Sequence, residues 1–503
     1  MPAPPEFLKY IDDNQGAFIK RLTDAVSHKR QVSALYSVSG DPTLRKDVID
    51  MGETWLHGQL TALGVETKLV WLGNEDVDGQ TLQLPPLVIG RVGSDPKKKT
   101  VLVYGHYDVM PAKKSDGWTT EDPFELTVRD ERMIGRGATD DKGPVVGWLN
   151  VLEAHQALPL TLPVNVRFCF EGMEESGSTG LDKFIEEEAN KGKEGWFDGV
   201  SYVCITDNYW LNTRKPALTF GIRGTAYFSI NISGPATDLH SGLFGRMVHE
   251  PMTDMVKLLS KLVETNGIIT VPGVEETVNP VAPEEREEYE KMDYTVQDLR
   301  DAVGGKAIEL SEDHTQLVMN RMRFPSLSIH GIKGAFDGDG SKTVIPAAIK
   351  GRFSLRLQRA DRPILAKLCS LVEPQTTDII KTLVTNFLNE EFKKLNSKNT
   401  MEVEYVGGAL PWVATNKHDL NFKAAHRATE AVYRQAPDYT REGGSIGVAL
   451  TFQEELGEDT SVMLLPMGRS DDGAHSTDEK LDKDNFFKGT KLFGTYLYEL
   501  AAA

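Results

Sequence analysis

Cysteine is scarce. The 503-residue sequence has three, Cys169, Cys204 and Cys369. Cys169 and Cys204 sit in apolar strand-like runs, "VRFCFEG" and "SYVCITD", where a small buried thiol is ordinary. With no paired framework, a disulfide-stapled secreted fold is excluded and a reducing compartment is expected. Long hydrophobic runs are also missing. Nothing approaches about 18 consecutive apolar residues, so no membrane-spanning helix is expected. The opening "MPAPPEFLKYIDDN" lacks a basic start followed by an apolar core, so no signal peptide is expected and the cytosol is the default location. Positive charge is in deficit, with 56 Lys and Arg against 74 Asp and Glu and a net charge of -18. Such a surface repels phosphate backbones and anionic lipid, which argues against nucleic-acid and membrane partners. Internal repeats are absent.

The rest of the composition, 40% hydrophobic and 26% charged, is that of an ordinary globular protein. The length exceeds what one core usually supports, so two domains are expected. Near the start, Phe18, Ile19, Leu22 and Val26 have helical spacing. Strands and helices then alternate to about residue 210, the pattern of an α/β layer fold. From about residue 215, "ALTFGIRGTAYFSINISGPA" and "SLSIHGIKGAF" read as longer, more exposed strands. In "RFSLRL", Phe353, Leu355 and Leu357 alternate with polar residues at period two. The acidic "VNPVAPEEREEYEKMD" reads as a solvated loop leading into a helix, and a long helical pattern follows in "TTDIIKTLVTNFLNEEFKKL". After "LPWVATN" the helix–strand pattern returns. The expected organisation is a catalytic domain from residues 1–214 and 406–503, with an α+β domain inserted at 215–405.

Four apolar β-rich runs share one feature. "TVLVYGHYD" ends in His106 and Asp108, "PVNVRFCFEGMEES" in Glu174 and Glu175, "GVSYVCITDNYW" in Asp207, and "SVMLLPMGRSDDGAHS" near His475. Open α/β sheets bind ligands outside the carboxyl ends of their strands. Four such endings converge on a site. Imidazoles and carboxylates together suit divalent metal ions, and two close ions need a carboxylate between them. Asp140 in "RGATDDKGPV" is the candidate, just before a helix with Pro144 in its first turn and Val145, Trp148, Leu149 and Leu152 on an apolar face. Each signal has an ordinary reading alone: a surface His–Asp pair, a solvated Glu–Glu, an N-capping Asp–Asp. Their joint occurrence at strand ends overrides it.

The series "YGHYDVMPA", "GRGATDDKGP", "EGMEESGS", "CITDNYW", "DLHSG", "KTVIP", "REGGSIG" and "DDGAHS" resembles the ordered motifs of the M20 metallopeptidases over nearly the whole chain. Within them it is similar to the cytosolic non-specific dipeptidase and carnosinase branch, which includes fungal enzymes that split cysteinylglycine during glutathione breakdown. The resemblance implies a mixed-sheet α/β two-metal exopeptidase domain with an inserted α+β lid and dimerisation domain. It implies that His106 and Asp207 hold one ion, Glu175 and His475 the other, with Asp140 bridging, and that the ions are zinc or manganese. It implies that Asp108 orients His106 and that Glu174 is the general base for hydrolysis of small unmodified dipeptides. It implies a homodimer in which His240 reaches the partner's site, Thr343 lines the same pocket, and Arg356 and Ser445 hold the substrate carboxylate. Two departures stand out. A histidine that precedes "GGKPW" in relatives is missing from "YVGGALPW", and Gly447 replaces a proline.

Other readings compete. "GGSIG", residues 443–447, fits the serine-nucleophile pattern, with Asp471, Asp472 and His475 following in the matching order. A nucleophile elbow follows a strand, however, and "RQAPDYTREGG" reads as polar and turn-like. "FDGDGSKT" lacks the features of a phosphate or calcium loop and reads as a lid loop. A metal-dead scaffold is opposed by the presence of every ligand candidate. A deacylase of N-acyl amino acids would use the same metals and differ only in its pocket.

Overall fold

A computed structural model describes residues 2–27, 29–30, 33–34, 36–77, 79–336, 338–358, 375–444, 446–457 and 459–503. Ser445 and Cys369 lie outside the described residues. In chain order the main strands are β1 (Glu66–Val70), β2 (Leu87–Val92), β3 (Thr100–His106), β4 (Asn165–Glu171), β5 (Val200–Ile205), β6 (Ala217–Ile222), β7 (Gly224–Ser233), β8 (Ser326–Lys333), β9 (Ala348–Leu357), β10 (Thr400–Ala409), β11 (Asp438–Glu442) and β12 (Ser461–Leu464). The main helices are α1 (Lys142–Ala157), α2 (Pro251–Leu259), α3 (Thr377–Leu395), α4 (Leu420–Tyr433) and α5 (Lys483–Ala502). The chain divides into two compact units, 1–220 with 414–440 and 448–503, and 221–413 with 441–447.

The first unit is built on a mixed sheet whose strands run in the order β6-β12-β5-β3-β4-β2-β1. The strands read from the four apolar runs are its centre. β12, β5, β3 and β4 are adjacent and parallel, so their carboxyl ends share one edge. All of β3 is buried, as a parallel strand covered on both faces must be. α1 is buried along almost its whole length, beyond the single apolar face read from the sequence, and Trp148 stacks on Phe493 of α5 at 4.7 Å. The burial of α1 includes the polar Lys142, Asn150 and His155, so the helix lies inside the layered core. The expectation of exposed strands beyond residue 215 fails at β6, which is buried throughout and joins the large sheet. Its sequence, ALTFGI, has no alternation to leave one face wet.

The second unit carries an antiparallel sheet in the order β8-β9-β7-β10. Phe353, Leu355 and Leu357 of β9 point inward as the period-two pattern requires. They pack with Phe228 and with Ile380, Val384 and Leu388 of α3. The acidic stretch becomes the helix Pro283–Glu290.

Candidate metal centre

Within the first unit, the carboxyl ends of the parallel strands bring together the six strand-end and loop residues read from the sequence. They form two groups of three whose donor atoms lie within 4.8 Å of one another: His106, Glu174 and Asp207, and Asp140, Glu175 and His475. Asp140 stands between the groups. Its Oδ1 is 3.1 Å from His106 Nε2 and its Oδ2 is 3.2 Å from His475 Nε2. His106 Nε2 is also 3.7 Å from Asp207, and His475 Nε2 is 3.0 Å from Glu175. His475 has φ +61, a region that non-glycine residues seldom occupy and that functional loops favour.

The supporting bonds come from the same elements. His106 Nδ1 lies 3.1 Å from the Asp108 carbonyl and 3.3 Å from its carboxylate, so Nδ1–H donates there and Nε2, on losing its proton, would be the nitrogen offered to a metal. Asp108 does more than orient His106. Its two carboxylate oxygens accept from the backbone N–H groups of Glu174 and Glu175, at 3.2 and 3.1 Å. Asp141 accepts from His106 N at 3.1 Å.

Sequence reasoning missed Glu479. This fully buried side chain accepts from Thr139 N and Asp140 N at 3.1 and 3.2 Å and pairs with Arg136 at 2.7 Å. It fixes the backbone at Asp140, yet its place in the acid-rich "DDGAHSTDEK" gave no distinguishing signal. A third carboxylate group, Asp471, Asp472 and Asp482, already surrounds a cation. Lys480 Nζ lies 3.2, 2.8 and 3.2 Å from them.

The electrostatics show what the centre needs. Burial and the neighbouring Asp140 push the Asp207 carboxyl up to about 7, and burial raises Glu174 well above and Glu175 above the usual carboxylate range. Burial opposes a charged His106, but Asp108, Asp140 and Asp207 outweigh it and hold its pKa well above normal. Hydrogen bonds to Asp140 and Glu175 raise His475 to about 11. The two charged imidazoles offset part of this clustered carboxylate, and divalent cations on the same donors would offset more. The donors, imidazole nitrogens and carboxylate oxygens, are the types such ions take.

Of the remaining predicted residues, His240, Thr343 and Arg356 lie in the second unit. His240 is exposed, and its Nδ1 accepts from Gly242 N at 3.0 Å, which puts the proton of the neutral ring on Nε2. Thr343 is its neighbour across a short antiparallel pairing, with its carbonyl accepting from Ser241 N at 3.1 Å. Arg356 lies on β9, its pKa lowered by burial and supported by Glu442. The "TREGG" stretch corrects one expectation. The residues before Ser445 form strand β11 rather than a turn, because Thr440 is buried with its hydroxyl 3.0 Å from that of Thr219. The serine-hydrolase reading fails on its acid instead. Asp472 binds Lys480, Thr139 Oγ1 and Arg469 N, and His475 faces Asp140 and Glu175.

The family model for peptidase family M20/M25/M40 matches residues 102–499. The chain belongs to that family. This M20 peptidase is 46% identical to the Cys-Gly metallodipeptidase dug1 of Schizosaccharomyces pombe, over 98% of this chain and 97% of the relative. Among solved structures it is similar to the dipeptidase Dug1p from Saccharomyces cerevisiae, with TM-score 0.87 and 44% identity, covering 99% of this chain and 98% of that one. It is also similar to human carnosine dipeptidase 1, with TM-score 0.87 and 38% identity over 100% of both chains. As a metallopeptidase it is a hydrolase that works with divalent metal. No helix among the described residues is long and apolar enough to cross a membrane.

Proposed function

We propose that this peptidase hydrolyses small unmodified dipeptides, cysteinylglycine first among them, at a centre that holds two divalent ions. The observation that carries the reading is Asp140, which sets one carboxylate oxygen against each histidine. His106 and Asp207 would hold one ion, Glu175 and His475 the other, and Asp140 both. Zinc and manganese both accept this donor set. When bound, such ions lower the pKa of water from about 15.7 towards about 7 and polarise a carbonyl.

The chain's own residues do the rest. Glu174, its backbone fixed by Asp108, takes the proton of the attacking water on its carboxylate and returns it to the leaving amine nitrogen. Arg356, with Ser445, would hold the substrate carboxylate through the planar donor fork of its guanidinium. His240, whose Nε2–H is free to donate, would reach the site of a second copy in a homodimer and stabilise the developing oxyanion, with Thr343 beside it. The buried thiols Cys169 and Cys204 support a cytosolic enzyme.

The test offers cysteinylglycine and an N-acetylated amino acid to chelator-stripped protein, with and without Mn²⁺ or Zn²⁺. Dipeptide cleavage should vanish on stripping and return with metal. Glu174→Gln should bind the same metal equivalents and lose about a hundredfold or more in kcat. Activity in fully stripped protein, or cleavage of the acetylated substrate alone, would overturn the reading.

A further inference from the structure

We propose that Glu171, together with Tyr104 and Ser178, is a positioning group for the turn that carries Glu174 and Glu175. The inference rests on the reading above, in which that turn supplies the proton carrier and a metal ligand. Glu171 ends β4 directly opposite His106 on β3, and its side chain is buried. One carboxylate oxygen, Oε1, accepts from two hydroxyls, Tyr104 at 2.5 Å and Ser178 at 2.8 Å. Tyr104 stands two residues before His106 and so on the same face of β3. The three side chains therefore tie the far end of the turn back to the strand that delivers a metal ligand.

Ser178 carries the sharpest sign of purpose. Its φ is +53, a backbone conformation that glycine adopts freely and serine does not. Its N–H closes the turn on the Met173 carbonyl at 2.7 Å, a bond that glycine would make equally well. What glycine lacks is the hydroxyl that reaches Glu171. The strained residue is explained by that bond. Glu174 and Glu175 lie between the two anchors in sequence, and Asp108 accepts from both of their N–H groups. A turn held at both ends and in the middle keeps the proton carrier within the sub-ångström tolerance that catalysis needs.

Stability and positioning separate cleanly at residue 178. Ser178→Gly relieves the backbone and removes the hydroxyl, so its Tm should equal or exceed that of the parent. Its kcat on cysteinylglycine should nonetheless fall by about tenfold to a hundredfold, with KM within about twofold. In metal-free protein, amide exchange over residues 172–180 should quicken by about tenfold in Ser178→Gly and Ser178→Ala, with distant segments unchanged. Glu171→Ala should behave likewise. Glu171→Gln keeps an acceptor oxygen and should restore most of what the alanine variant loses. Parental kcat and parental exchange in Ser178→Gly would overturn the inference. Should the parent protein itself lack metal-dependent dipeptidase activity, the functional reading falls, while the exchange measurement on metal-free protein still decides the positioning.

Discussion

Asp207, Glu479 and His475 are displaced upward in pKa, and the displacements have one sign for stability. Burial first, and Asp140 second, lift Asp207 from 3.8 and Glu479 from 4.5 to about 7. Between about pH 4 and pH 7 the native state therefore binds more protons than the unfolded chain, and stability falls as pH rises through that window. His475, raised from 6.5 to about 11, contributes stability that is complete below 6.5 and is lost as pH rises towards 11. Asp140 runs the other way, but its lowered pKa matters only below 3.8. The Tm of metal-free protein should fall from about pH 5 to about pH 8, above which buried Lys142, lowered to about 8, opposes His475. Saturating Mn²⁺ should raise it most at the alkaline end, where the ligands have fewest protons to give up. A metal-free Tm that climbs over the same range would contradict these charge assignments. The six residues of the centre were legible because five end or follow a strand, or precede a helix, as abrupt polar residues, while His475, in the loop after β12, was legible through the motif "DDGAHS". Glu171 and Glu479 were not, because an acid that bonds hydroxyls or backbone N–H groups leaves no spacing to read.

Elements were read with similar unevenness. The four apolar runs announced β3, β4, β5 and β12, and period two announced β9. Their order in the sheet could not be read, since pairing partners are distant in sequence. β11 was missed because its polar residues are satisfied by hydroxyl and ion-pair partners invisible to a hydropathy pattern. The loop before α1 has a support that can be removed alone. Glu479→Ala leaves Arg136 buried without its carboxylate and the N–H groups of Thr139 and Asp140 without their acceptor. It should cost about 3–5 kcal/mol of stability and weaken Mn²⁺ binding to stripped protein by about tenfold to a hundredfold. Calorimetric titration of the stripped variant measures this. Parental affinity would mean that Asp140 is held by other groups.

At the scale of the whole molecule, the claim most open to test is that two copies share their sites. His240→Ala and Glu174→Gln should each be nearly inactive. Mixed after dissociation and reassembly, they should recover activity, because the mixed dimer pairs an intact Glu174 in one copy with an intact His240 from the other. Random reassortment makes about half of the dimers mixed, with one sound site each, so about a quarter of parental turnover should return. No recovery would place His240 in its own copy's site or outside catalysis. The first unit is assembled from three stretches of chain, with residues 221–413 of the second unit between the first two in sequence and its 441–447 between the last two. That interruption has a consequence for biosynthesis. His106, Asp140, Glu174, Glu175 and Asp207 are translated long before His475, which follows Asp207 by 268 residues (475 less 207). At ribosomal speeds of about 5–20 residues per second the gap lasts roughly 13–54 s. If these residues hold metal as proposed, a centre that includes His475 cannot be completed until that interval has passed.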